Sequence, residues 1–246
     1  MGSIWRTLLG RYACRGAVPV EQEPRHHLVN GDECVRFFTI EIEPHDRTLC
    51  HRHEHDYVLY VLGDAQIVSA SQDGEGTTYT YREGDCELSI AGLVHVVKNV
   101  GDTKFRSLLV ELLPAVGDLQ RGSDPRIIAG DGVVSPILNE ERLSVWSLDM
   151  KLDAGMEMHG PAILAVFSEE GGFPKDPGET KRKLNQLHDV SFFLSGRSVI
   201  GCDRNLARPM KAVLFQLGRT EEQLASVRRR TGEPIKSLRA HAPEPE

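Results

Sequence analysis

The sequence predicts an all-β protein made of two tandem β-domains followed by a short C-terminal helix. Short runs of β-branched and aromatic residues recur between Gly, Asp and Pro, no convincing helical period interrupts residues 35–113, and the runs repeat in the second half of the chain. A chain of 246 residues is long for one domain and sufficient for two of about 100–120 residues each.

The strand-like runs of the first half are short and closely spaced, as in β-sandwiches and β-barrels. They cover residues 35–42, 57–62, 65–70, 77–81, 86–90, 93–100 and 105–113.

An internal repeat defines the domain organisation. The aligned segments are 35–53 over 143–161, 84–92 over 188–196, and 105–113 over 210–218. Apolar positions keep register, with Phe38 over Trp146, and His51 falls over His159. The predicted units are an N-terminal extension (1–24), a first barrel (25–116), a linker (117–132), a second barrel (133–218), and a C-terminal helix and tail (219–246).

The C-terminal helix is predicted from its end signals. Thr220 and Gln223 form a capping box, the Arg228–Arg230 run suits the last turn, and Gly232 with Pro234 ends the helix. The arginine run therefore needs no nucleic-acid partner to explain it.

Charge and cysteine content exclude several classes of protein. A net charge of −7 argues against nucleic-acid and anionic-membrane partners. Five scattered cysteines without a Cys-x-x-Cys pair predict a reducing, cytoplasmic setting. Cys50 and Cys86 are predicted to be packing residues, because their strand parity is opposite to that of the candidate ligands or their neighbours. Export is disfavoured but stays open, because a start site placed too far downstream would remove a signal peptide.

A row of histidines gives the strongest functional signal. His51, His53 and His55 occupy every second position before an apolar run, and residues two apart share a strand face. Imidazoles bind iron, manganese, nickel and zinc, and two of them on one strand need a third from elsewhere. The candidate is His95, within Val94–Val97, although a histidine in such a strand is also typical of a satisfied core.

The spacing of these residues resembles that of the cupin superfamily. His51 and His53 match the His-x-His of the first cupin motif, and the second motif is matched by Gly84, Ile90-Ala91-Gly92, His95 and Asn99, with Ile90 in place of proline. The resemblance covers about residues 25–218. It implies two jelly-roll β-barrels, a bicupin, with His51, His53 and His95 converging on one metal ion in the first.

The departures from the motif also carry information. The family's glutamate ligand is replaced by Tyr57, its upstream glycine by His45, and Asp56 should lie on the opposite strand face. We therefore expect three neutral imidazoles, with Tyr57 pointing into the same cavity. His55 is predicted to handle protons at the barrel mouth, or else to be a solvated histidine in a charged turn. We expect His26 and His27 at the surface.

Three-histidine cupins without the glutamate recur among iron dioxygenases of thiols, diketones and ring-cleavage substrates. The resemblance thus implies a mononuclear Fe(II) oxygenase of a small-molecule substrate, with Mn, Ni or Zn as other metals. A non-catalytic small-molecule binding or sensing protein is the first alternative, because fold does not decide function. A storage-like or scaffold protein in which the histidines are vestigial is the second.

The repeat predicts that the second barrel has lost the metal site. The alignment puts Pro161 over His53 and Val199 over His95, which leaves His159 alone. This barrel could be structural, a homodimer interface or an apolar ligand pocket.

Overall fold

The computed structural model describes residues 16–71, 76–151, 154–167, 190–194, 197–201 and 210–220. The helix predicted to start at Thr220 lies outside these ranges beyond its first residue. Within them, no helix is long and apolar enough to cross a membrane.

In the residues that the structure describes, the first barrel contains ten strands in two sheets. They are β1 (Val18–Pro19), β2 (His26–Gly31), β3 (Val35–Ile42), β4 (His51–Arg52), β5 (Asp56–Val61), β6 (Ala65–Ser71), β7 (Gly76–Tyr81), β8 (Cys86–Ser89), β9 (Val94–Asn99) and β10 (Phe105–Leu112). The sheet orders are β1-β4-β9-β6-β7 and β2-β3-β10-β5-β8. Short 3-10 turns occupy Val20–Gln22 and Pro114–Asp118.

The second barrel follows the same plan. Its described strands are β11 (Arg126–Ala129), β12 (Gly132–Glu140), β13 (Leu143–Met150), β14 (Gly155–His159), β15 (Ala162–Phe167), β16 (Val190–Leu194), β17 (Arg197–Gly201) and β18 (Met210–Leu217). They form the sheets β11-β14-β17 and β12-β13-β18-β15-β16. The prediction of an all-β fold with two tandem barrels is confirmed.

Strand β3 is apolar on both faces because each face packs against a different hydrophobic core. Phe38, Ile40 and Ile42 point into the first barrel, whereas Val35 and Phe37 join a core shared with the second barrel. A strand buried on both sides has no solvated face, so strict alternation of polar and apolar residues is lost. The strand therefore lies between the interior of the first barrel and the other barrel.

The two barrels pack through one continuous hydrophobic core. Phe215 on β18 lies with its ring centroid 6.3 Å from that of Phe37 and 6.4 Å from that of Tyr60. At the edge of this interface Arg142 forms an ion pair with Asp56. The sheets that contain β3 and β13 thus stabilise each other, and the interior of the first barrel lies on the far side of β3.

Part of the predicted N-terminal extension and of the predicted linker contributes strands. β1 pairs in parallel with β4, through Val18 and His51, and Val20 is buried in the first barrel. β11 lies within the predicted linker and pairs with β14 of the second barrel.

Candidate metal centre

Strands β4 and β9 bring the three predicted ligands together. His51 pairs directly with His95, and the ladder continues where the His53 N–H donates to the Leu93 carbonyl (3.0 Å). Because His51 and His53 are two residues apart, both side chains face the barrel interior. They are 0% and 1% exposed, and His95 is 6% exposed.

The three imidazoles are close neighbours. Ring centroids are 4.5 Å apart for His51 and His95, 5.0 Å for His51 and His53, and 5.3 Å for His53 and His95. That these rings bind a metal ion stays a prediction, which the hydrogen bonds around them support.

Each ring has a nitrogen to which no described residue forms a hydrogen bond. The His51 Nδ1 lies 3.0 Å from the Leu49 carbonyl, to which it donates, and the His95 Nδ1 lies 2.8 Å from the Ser69 hydroxyl. The buried atoms without a hydrogen-bond partner include His51 Nε2, His53 Nδ1 and His95 Nε2. An unpaired buried polar atom is costly, so three in one cluster fit a site that binds a cation.

Burial keeps these imidazoles in the form that binds metal. Loss of solvation, reinforced by His26, lowers the pKa of His51 to about 4. Burial, together with the neighbouring imidazoles, also lowers the pKa values of His53 and His95 below their usual range. At neutral pH all three rings are neutral.

A fourth imidazole, His26, joins the cluster, and its prediction as a surface residue is wrong. His26 is 6% exposed, and one nitrogen each of His26, His51 and His53 lies within 4.8 Å of the others, a group to which His95 does not belong. Its neighbour His27 is exposed, as expected. Alternation along β2 turns one histidine inward, but the strand's sequence, HHLVNG, has no apolar period to show which one. The sequence signal that could have identified His26 is Glu23, three residues earlier, whose carboxylate can hydrogen-bond a buried imidazole.

Tyr57 occupies the place predicted for it. It lines the cavity, stacks on His53 with ring centroids 4.1 Å apart, and hydrogen-bonds to Ser89. Burial raises the pKa of Tyr57 to about 12, so the hydroxyl stays neutral. His55 follows the end of β4, in the turn before β5, and does not line the cavity. The structure therefore does not bring His55 to the imidazole cluster.

Of two carboxylates near the site, Asp56 points away from the imidazoles and Glu111 points towards them. Asp56 faces away from the site, as expected, and accepts a hydrogen bond from the Ala91 N–H (2.8 Å). Glu111 on β10 is fully buried, with Oε1 3.9 Å from His53 Nδ1 and Oε2 3.3 Å from Arg36 Nη1. Glu111 is not among the site residues that the sequence predicts, although it lies two residues after inward-facing Leu109 on β10.

We expect glutamine at position 111 to stabilise the metal-free protein at pH 8. Burial raises the pKa of Glu111 to about 7, so the folded carboxyl keeps a proton that the unfolded chain loses near pH 4.5. Wild-type stability therefore falls as the pH rises from about 4.5 to 7, by up to about 3 kcal/mol. Urea unfolding at pH 5 and pH 8 should show a larger gain for Glu111→Gln at pH 8. An equal gain at both pH values would contradict this, and Glu33→Gln, at an exposed position, is the control.

The histidine cluster opens onto a small, mainly apolar cavity of about 80 Å³. Its apolar walls include Ile40, Leu59, Leu93 and Phe105. Its polar part includes Tyr81, whose hydroxyl donates to Glu87 Oε1 (2.7 Å).

Other residues of the cupin motifs shape turns rather than the cavity. The Asn99 amide donates to the Ile42 carbonyl (3.0 Å) and the Thr103 carbonyl (2.7 Å), which fixes the turn after β9. Gly92 has φ +93°, a conformation that favours glycine. His45 stands where the motif has glycine and adopts φ +65°, which histidine tolerates better than most residues.

Pairing in the second barrel corrects part of the repeat alignment. Tyr57 pairs with Glu111 in the first barrel, and Ala162 pairs with Gln216 in the second. The same spacing places Met156 and Met158 at the positions of His51 and His53. Both methionines are fully buried in the second barrel's core.

The ladder between β14 and β17 agrees with this revised alignment. His51 pairs with His95, and Met156 pairs with Ile200. The alignment of His51 with His159 is therefore wrong, as are Pro161 and Val199 as counterparts of His53 and His95. Eight residues separate Ile42 from His51 but only five separate Met150 from Met156, so an ungapped alignment slips by three. The site is replaced by apolar side chains in the second barrel.

Cys50, next to His51, is disulfide-bonded, so its prediction as a packing residue is wrong. Among the residues that the structure describes, Cys34 and Cys86 are free. A disulfide is more typical of an oxidising compartment than of the reducing one expected from the scattered cysteines.

Among known proteins, the chain is similar to solved structures, but not to any protein-family model or curated sequence. A cupin domain from Bordetella pertussis Tohama I is 21% identical over 40% of this chain and 97% of its own, with a TM-score of 0.34. AerE from Microcystis aeruginosa is 10% identical over 79% of this chain and 98% of its own (TM-score 0.49). Oxalate decarboxylase is 11% identical over 82% of this chain and 76% of its own (TM-score 0.42).

The fold itself is established by the strand order. Each barrel is a cupin-type jelly roll. Two facing sheets enclose each interior, and the His-x-His strand β4 pairs with the strand that carries His95. This pairing is the geometry that the sequence motifs imply.

Proposed function

We propose that the first barrel binds one divalent metal ion, Fe(II) in particular, and that the protein is a mononuclear iron oxygenase, dioxygenase-like, of a small organic substrate. The observation that supports this is the set of three buried, unpaired nitrogens on His51, His53 and His95.

The donor set fits such an ion. Neutral imidazoles suit iron, manganese, nickel and zinc. When bound, the ion would supply Lewis acidity and open coordination positions, because three neutral ligands leave its charge uncompensated. Tyr57, at the position of the family's glutamate, is a neutral phenol that can donate a hydrogen bond to a substrate oxygen.

The walls of the cavity favour apolar groups of a substrate over charged ones. Among the described residues that line it, none is Lys or Arg, and Glu87 is acidic. An anionic group would therefore find its positive partner in the metal ion, whereas the apolar part of the substrate would contact Ile40, Leu59 and Phe105.

The size of the cavity narrows the substrate class further. An apolar cavity of roughly 150 Å³ holds benzene, whereas this one measures about 80 Å³. A thiol or diketone of a few heavy atoms fits it better than a dihydroxy-aromatic ring.

A non-catalytic binding or sensing protein is the second candidate. Polar groups of the cavity are already paired with one another: Tyr57 with Ser89, and Tyr81 with Glu87. Fewer groups are then free for acid–base chemistry, which favours ligand binding over turnover.

Metal analysis tests the proposal first. Protein purified without added metal should contain about one equivalent of a divalent metal per chain. His51→Ala and His95→Ala should lose that metal and keep the β-sheet circular dichroism spectrum. His55→Ala, in the same stretch but away from the cluster, should retain it. Equal metal content in all four proteins would contradict the assignment of the site.

Oxygen uptake separates the two candidate functions. Iron-loaded protein should consume oxygen with small thiols or diketones and more slowly with dihydroxy-aromatics. Tight binding of such compounds without oxygen consumption would favour the binding protein.

A further inference from the structure

The fourth histidine of the cluster lies outside both cupin motifs. We propose that His26 is a fourth ligand of the metal centre and that Glu23 is the carboxylate that positions its ring. This inference rests on the proposed metal site.

The position of His26 in β2 directs it at the other imidazoles. β2 lies at the edge of the sheet that faces β4 and β9, and its first residue turns inward while His27 stays exposed. The His26 ring centroid is 4.7 Å from that of His51 and 5.9 Å from that of His53. The ring also lines the cavity. His26 thus approaches the cluster from the sheet opposite the motif histidines.

A buried carboxylate fixes the orientation of this ring. Glu23 is 1% exposed, and its Oε2 lies 2.8 Å from His26 Nδ1. Oε2 also accepts a hydrogen bond from the Arg25 N–H (2.7 Å), and Oε1 accepts one from the Leu49 N–H (3.0 Å). Burial alone would raise the pKa of Glu23, but these hydrogen bonds outweigh it and lower the pKa to about 2. In the neutral tautomer that donates from Nδ1 to this carboxylate, the lone pair of the ring lies on Nε2.

This arrangement is the one that holds histidine ligands in many metal sites. A ligand imidazole commonly donates its other nitrogen to a carboxylate or a backbone carbonyl, which sets its tautomer and raises its basicity. His26 has Glu23, and His51 has the Leu49 carbonyl. Because Glu23 also binds the Leu49 N–H, one carboxylate helps to position both rings.

The charge of the site follows from this ligand set. The family's carboxylate ligand is missing at Tyr57, and in its place a fourth neutral imidazole would join the metal. The negative charge of the site would then belong to Glu23, which contacts the ligand His26, instead of to a carboxylate bound directly to the metal. A buried His–Glu pair that only stabilises the core is the competing explanation, and it predicts no change at the metal when His26 is replaced.

Metal-substituted full-length protein distinguishes these explanations. Co(II) affinity, measured by chelator competition, should fall in His26→Ala by more than in Glu23→Gln, for which we expect about 10–100-fold. The nitrogen hyperfine pattern in the EPR spectrum of Cu(II)-loaded protein should show one imidazole fewer in His26→Ala than in wild type. His27→Ala, its exposed neighbour, should match wild type in both measurements.

A second variant guards against loss of folding. The amide of His26→Gln can still donate to Glu23, but it offers no imidazole nitrogen, so it should show the same reduced EPR pattern. If His26→Ala or the folded His26→Gln protein keeps the wild-type Cu(II) spectrum and Co(II) affinity, His26 is not a ligand, although the three-histidine site stands. If wild-type protein binds neither metal, both proposals are overturned.

Discussion

Replacing Phe215 with alanine should lower the free energy of unfolding by about 3–5 kcal/mol and destabilise both barrels together. Phe215 is fully buried in the core shared by the two barrels, where it contacts Phe37 and Tyr60 of the first. The cavity left by this side chain would open at the interface, and β3, which is covered by the second barrel, would lose its support.

Hydrogen exchange combined with urea unfolding measures this coupling. In Phe215→Ala, amides of β3, β5 and β10 should exchange faster, although they belong to the other barrel. Leu164→Ala is the matched control because Leu164 is 3% exposed and packs inside the second barrel. Leu164→Ala should destabilise the second barrel but raise the exchange rates of the β3 amides less than Phe215→Ala does. If both variants have the same effect on the first barrel, the shared core is not what couples the barrels.

Strand positions were predictable because the apolar patterns are strong. The run at residues 35–42 coincides with β3, and that at 105–113 with β10 to within one residue. Both are long apolar runs between clear turn residues. The close meeting of His51, His53 and His95 was predictable because it needs only the two-residue period of a strand and one cross-strand pair.

The rest of the site depends on contacts between segments distant in sequence. His26 reaches the cluster because β2 packs opposite β4, and the local sequence signals that approach only through Glu23, three residues earlier. Glu111 stands in an apolar run where a carboxylate is unexpected, and its burial depends on Arg36 across the sheet.

The misplaced repeat has a different cause. Ungapped alignment succeeds over β3 and β13, where residues pair in equivalent registers, and fails beyond Met150, where the second barrel's connection is shorter. Loops tolerate insertions and deletions better than the strands that they join. The alignment therefore lost its register at a loop.

The metal-free protein should lose stability as the pH falls from about 6.5 to 4, and His51 alone should account for about 3 kcal/mol of that loss. Burial first, and His26 second, lower the pKa of His51 to about 4, from 6.5 in the unfolded chain. Between these pH values the unfolded chain binds a proton that the folded protein does not. Acid therefore favours unfolding, and the stabilisation is complete only above about pH 6.5.

Urea unfolding of chelator-treated protein at pH 7.5, 6 and 5 measures this loss, and His51→Gln isolates the part that belongs to His51. Glutamine does not titrate, and its amide can still donate to the Leu49 carbonyl, so the variant's stability should fall less steeply with acid. Glu111 contributes a slope of opposite sign, but it is present in both proteins and cancels in their difference. His27→Gln, at an exposed position, should follow the wild-type curve. Parallel curves for wild type and His51→Gln would mean that His51 has the same pKa in the folded protein as in the unfolded chain. The buried, neutral imidazole cluster would then not exist in solution.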